Sequence, residues 1–132
     1  MKKTILSILF LFMLIFTAGC SSKYLEKINL DDLNEKLNNK DSFVIYFYDT
    51  TSDLEVTLTN ILEKNNLIGY KIDTSKITND QKLTLQTKID YKNPSIVFIL
   101  EGKDPSVLSH ITDEDVSEER ITAALKDMNF IK

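Results

Sequence analysis

The chain opens with an apolar run from Ile5 to Phe16, and from Tyr24 onward apolar and polar positions alternate at helix and strand spacings. Tyr24 to Ile28 fits a short strand. Asn29 is placed to cap a helix, with Asp31 and Asp32 where the positive end of a helix dipole favours acids. Leu30, Leu33 and Leu37 then recur on one helical face up to the polar break Asn38-Asn39-Lys40-Asp41. Phe43 to Tyr48 is the strongest strand pattern: all six residues are β-branched or aromatic, as in a strand buried on both faces. Asp49 to Asp53 turns the chain and offers helix caps, and Leu54, Leu58, Ile61 and Leu62 form one apolar helical stripe that stops at Asn65-Asn66. Leu67 to Asp73 reads as a strand with alternation in its second half. A more polar helix follows from Asn79-Asp80 through Leu85 to Ile89. Ser95 to Leu100 is a second fully apolar strand, and Glu101 to Asp104 turns into a short strand over Val107 to Ile111, making a hairpin. A last helix starts near Ser117, with Glu118 and Glu119 in its first turn and Ile121, Ala124, Leu125 and Met128 along one stripe.

Strands alternating with helices and closing in a hairpin predict an α/β fold, a mixed central sheet flanked by helices. There is no internal repeat or linker, so residues 24–132 form one domain, of a size that buries one core.

The start of the chain has a second pattern. Met1-Lys2-Lys3 precedes the apolar run, and Thr17-Ala18-Gly19-Cys20 closes it. The run is shorter than the roughly 20 residues a spanning helix needs. The combination resembles a bacterial lipoprotein signal, in which basic residues stay on the cytoplasmic side and small residues admit a peptidase ahead of the cysteine. The resemblance implies a cleaved signal peptide over residues 1–19, cut between Gly19 and Cys20, and a lipidated amino terminus with a short tether over residues 20–23. Cys20 would carry a covalent lipid and hold the protein on the extracytoplasmic face of the cell membrane. Cys20 is also the one cysteine of the chain, so no disulfide can form within it. Removing Lys2 and Lys3 from 16 basic residues leaves 14 against 20 acids, a net charge near −6. That balance argues against a nucleic-acid partner and against an electrostatic grip on anionic lipid.

Two local motifs extend the reading of the body. Phe47-Tyr48-Asp49 after an apolar strand resembles the stretch that leads into the thioredoxin active-site helix, and Asn93-Pro94-Ser95 before an apolar strand resembles the cis-proline segment facing it. With the element order, they make residues 24–132 similar to a thioredoxin-like domain. The resemblance implies that Asn93, Pro94 and Ser95 form a peptide-contacting edge. Taken by itself, Pro94 also fits a trans proline at a strand start. The same alignment puts Ser52 and Glu55 at the two positions of the thioredoxin CxxC pair, and Tyr46 where thioredoxins keep a buried acid. A serine hydroxyl is not ionised near neutral pH and a carboxylate cannot resolve a disulfide, so the thiol chemistry of the family is absent from this pattern.

Other polar residues have plainer readings. Ser52 or Asp53 suits a helix cap and Glu55 a first-turn acid. A serine nucleophile needs a positioned base, and the single histidine, His110, falls on the closing hairpin. Asp113-Glu114-Asp115 with Glu118-Glu119 lacks the oxygen spacing of a calcium loop and reads as a solvated helix start. Asp49, Asp53 and Asp73 fall near the carboxyl edge of the sheet, though spacing alone does not make them ligands. No catalytic residue, metal site or cofactor beyond the lipid on Cys20 is expected. The expectation is a membrane-anchored, redox-inactive thioredoxin-like module that binds a protein or peptide in a groove formed by Ser52, Asp53, Glu55, Asn93, Pro94 and Ser95. An alternative is an accessory factor in secretion, bacteriocin export or conjugation, and a hydrolytic or metal-dependent enzyme ranks last.

Overall fold

A computed structural model of the chain describes residues 23–50, 52–89, 91–101, 110–112 and 117–132. Cys20 and the lipoprotein-like signal, the acidic run Asp113 to Asp115, the turn residues Gly102 to Asp104 and the proposed strand residues Val107 to Ser109 lie outside them. The elements are β1 (Leu25–Lys27), α1 (Leu30–Asn38), β2 (Phe43–Tyr48), α2 (Asp53–Lys64), β3 (Gly69–Asp73), α3 (Asn79–Lys88), β4 (Ser95–Ile99), β5 (His110–Thr112) and α4 (Glu118–Asp127). The five strands form one sheet in the order β1-β3-β2-β4-β5. β1, β3 and β2 run parallel, and β4 and β5 complete the sheet antiparallel.

Central placement explains the composition of β2, which is buried from Phe43 to Phe47. Its alternate side chains feed two cores, because successive residues of a strand point to opposite faces. On one face Val44 and Tyr46 pack with Ile96 and Phe98 of β4, with Leu54, Leu58, Ile61 and Leu62 of α2 and with Ile121 and Leu125 of α4. On the other, Phe43, Ile45 and Phe47 pack with Val97 and Ile99, with Leu33 of α1 and with Leu85 and Ile89 at the end of α3. Each such side chain stabilises the fold by about 1.5–3 kcal/mol through burial.

Asn29 caps the first helix as its sequence suggests, while the cap of α3 falls on Thr78, one residue before Asn79. Asn29 and Asp32 form a reciprocal capping box on α1, as do Thr78 and Gln81 on α3. β2 spans Phe43–Tyr48 as its pattern predicts, while β1, β3 and β4 are shorter than their patterns. β3 begins at Gly69 rather than Leu67, because Leu67 donates its N–H to Leu62 O and still closes α2. β4 ends at Ile99, one residue before Leu100. One element was not anticipated: a 3₁₀ turn over Thr74–Lys76, started by Asp73, whose carboxylate accepts from Ser75 N at 3.0 Å.

Candidate functional site

Strand direction gathers the candidate residues at one edge of the sheet. Parallel β2 and β3 finish at Tyr48 and Asp73, which are register partners. Antiparallel β4 starts beside them, with Ser95 opposite Phe47, so Pro94 lies level with the end of β2 and the loop into α2. The Asn93-Pro94 bond is cis.

Ser52 occupies the N-cap position of α2, with extended backbone (φ −144°, ψ 162°), but its side chain caps nothing. Its Oγ lies 2.9 Å from the hydroxyl of Tyr46, a fully buried residue. The hydroxyl that would satisfy the orphan amides of the first turn is thus drawn toward the sheet. Asp53 is exposed and begins the helix. Glu55 is not a free first-turn acid: its Oε1 accepts from Lys71 Nζ at 2.7 Å, with the two side chains 22% and 15% exposed. Lys71 is the register partner of Tyr46, so its side chain rises on the face covered by α2. A lysine so enclosed is costly unless paired, and Glu55 supplies the charge.

Tyr48 completes this cluster. Its ring stacks on that of Tyr46 at 5.3 Å between centroids, and Lys71 Nζ lies 5.8 Å from its centre. Burial first, then the negative charges of Asp73 and Glu55, hold the Tyr48 hydroxyl above the ordinary tyrosine range. The carboxyl of Asp73 is held below its usual range, chiefly by the Ser75 hydroxyl at 2.6 Å.

The proline loop is fixed from beneath. The buried Thr74 Oγ1 lies 3.0 Å from Tyr48 O and 2.9 Å from Asn93 Oδ1, and its single proton serves one acceptor at a time. Tyr91 stacks on Phe47 at 4.5 Å. Ser95 is fully buried, its Oγ accepting from Lys92 N and donating to Lys92 O. Of the three residues expected at a peptide-contacting edge, Ser95 therefore has no side chain to offer. Asn93 uses its amide oxygen internally, and partly buried Pro94 presents ring and backbone.

Chemically, the arrangement holds a serine hydroxyl against a phenol, neither of which is a base at neutral pH, and a carboxylate neutralised by a lysine. His110 is paired across the ladder to Val97 on the edge strand β5. Among the described residues no three His, Cys, Asp or Glu side chains converge as metal ligands, Asp49, Asp53 and Asp73 included. Lys71 and Thr74 complete the site, each with only a faint signal in the sequence. A lysine set between Tyr70 and Ile72 in a strand asks for a partner, and Asp73-Thr74-Ser75 has the Asp-x-Ser pattern of a local turn.

No protein-family model and no curated protein matches the sequence. Solved structures do match, several thioredoxins among them. Chloroplastic thioredoxin z is 16% identical, with a TM-score of 0.61 over 83% of this chain and 98% of its own. Thioredoxin O2 from Arabidopsis thaliana in the oxidized state is 14% identical, with a TM-score of 0.58 over 80% of this chain and 95% of its own. Mitochondrial thioredoxin 3 from Saccharomyces cerevisiae is 20% identical, with a TM-score of 0.53 over 80% and 99%. The fold is thioredoxin-like.

Proposed function

We propose that this chain is a lipid-anchored extracytoplasmic protein whose thioredoxin-like domain binds a protein or an extended peptide and performs no thiol chemistry. One observation carries the reading: both positions that the resemblance assigns to the cysteine pair hold other residues, and both are engaged. Ser52 is hydrogen-bonded to Tyr46 and Glu55 is ion-paired with Lys71. The only cysteine of the chain is Cys20, which the signal motif assigns to the lipid. What remains at the sheet edge is a braced loop with Pro94 beside the start of α2, a surface suited to contact rather than catalysis.

An insulin-reduction assay on the purified protein tests this. Turnover at background level is expected, and robust reduction would overturn the reading. A photo-crosslinking residue at exposed Asn93, compared with one at exposed Ala123 on α4, tests the binding half in intact cells. A discrete adduct from position 93 alone is expected. Mass spectrometry of the mature amino terminus checks the anchor, with a diacylglyceryl thioether on Cys20 as the expected species.

A further inference from the structure

β1 starts at Leu25, directly after Tyr24, whose carbonyl oxygen accepts from Gly69 N at 2.7 Å. β1 is parallel to β3 and β3 to β2, so all three strands begin at one edge and finish at the other. The finishing edge carries Tyr48, the loop to Ser52, Thr74 and Pro94. From the Leu25–Gly69 level to the Tyr48–Asp73 level is four residue steps along β3, about 13 Å at the rise of a strand.

Chain length then decides which edge meets the bilayer. Cys20 precedes Tyr24 by four residues, at most about 14 Å of fully extended backbone. Setting the finishing edge on the membrane would lift Tyr24 by the height of the sheet and draw that segment out to its limit. Setting the starting edge down requires no extension.

The starting edge also has a surface suited to lipid. Ile68, next to Gly69, is one of the exposed large apolar residues at 48%. Tyr24 and Leu67, which flank this edge, are partly buried against the core. Lys23 is exposed, its Nζ 4.9 Å from the centre of the Tyr24 ring. A tyrosine and a lysine with apolar neighbours settle at the headgroup level, ring and stem toward the acyl chains and polar tips toward water.

We infer that the starting edge of the sheet, around Tyr24 and Ile68, lies on the bilayer surface, and that the groove at Ser52 and Pro94 opens away from it. Its partner is then an extended segment reaching the domain through the aqueous phase, not one embedded in lipid. The inference rests on lipidation at Cys20, and the test separates the two.

Full-length lipidated protein is reconstituted into phosphatidylglycerol-containing vesicles that carry a headgroup quencher. A maleimide dye is attached to Ile68→Cys or, at the opposite edge, to exposed Thr50→Cys. Lipidated Cys20 has no thiol to label. Several-fold stronger quenching at position 68 than at position 50 is expected. Inserting about ten Gly/Ser residues between Lys23 and Tyr24 is expected to narrow that difference by freeing the body to tumble. Equal or stronger quenching at position 50 in the lipidated protein would overturn the orientation alone. Dye uptake by the unsubstituted chain, revealing a free Cys20, would overturn the anchor and the orientation with it.

Discussion

Lys71 and Glu55 show how a single pair can define this site. Each is largely shielded, and each is the other's counter-charge at 2.7 Å. Removing one partner leaves an enclosed charge, which costs more than the pair contributes when intact. Glu55→Ala is expected to destabilise the fold by about 1–3 kcal/mol, and Lys71→Met/Glu55→Ala by less than the sum of the single changes. Urea midpoints of the three variants check this; additive losses would mean that the pair is not coupled. The Ser52 contact is smaller. Ser52→Ala deletes a neutral hydrogen bond to a buried phenol and is expected to cost about 1 kcal/mol. Thermal unfolding of that variant measures it, with an unchanged midpoint counting against a structural role for the bond. Neither pairing is legible from the chain. Glu55 and Lys71 are 16 residues apart, and only the α2–β3 connection and the strand register bring them together.

The secondary-structure elements were largely written in the pattern of apolar positions. Phe43 to Tyr48 had to be central, since six consecutive β-branched or aromatic residues leave no face for water, and the stripe Leu54, Leu58, Ile61 and Leu62 is the buried face of α2. Less was legible where few apolar residues mark an element. α3 buries Leu85 alone within its length and leaves Leu83 63% exposed, so its place depends on the capping box and on Ile89 just beyond it. The junction of α2 and β3 depends on a glycine. A Cβ at Gly69 would stand 2.9 Å from Leu62 Cδ1, in a fully buried side chain that cannot move freely. Gly69→Ala is expected to cost about 1–3 kcal/mol, as overpacking does. A urea titration would show it as a lowered midpoint with unchanged slope; no shift would mean that Leu62 has room to give.

For the whole molecule, two tyrosines link stability to pH. Tyr48 is held above the ordinary range by burial, Asp73 and Glu55, and Tyr91 by burial. Raised folded-state values mean that the fold favours the protonated phenols. That contribution is complete below the unfolded value of about 10 and is lost as pH climbs through the folded values. The urea midpoint is therefore expected to fall steeply above about pH 10, and Tyr48→Phe to blunt the fall. A flat profile from pH 8 to 11 would contradict the burial argument. At this scale the division between sequence and structure is clear. The sequence by itself determined the order of strands and helices, the two-faced burial of β2, the lack of a cysteine pair and the lipoprotein-like motif ending at Cys20, because each depends on residue type and near spacing. Tertiary structure decided that Ser52 turns to Tyr46, that Glu55 serves Lys71, that Ser95 is buried beneath the proline loop, and that the candidate groove and the start of β1 occupy opposite edges. These depend on register and strand direction, which bring together residues far apart along the chain.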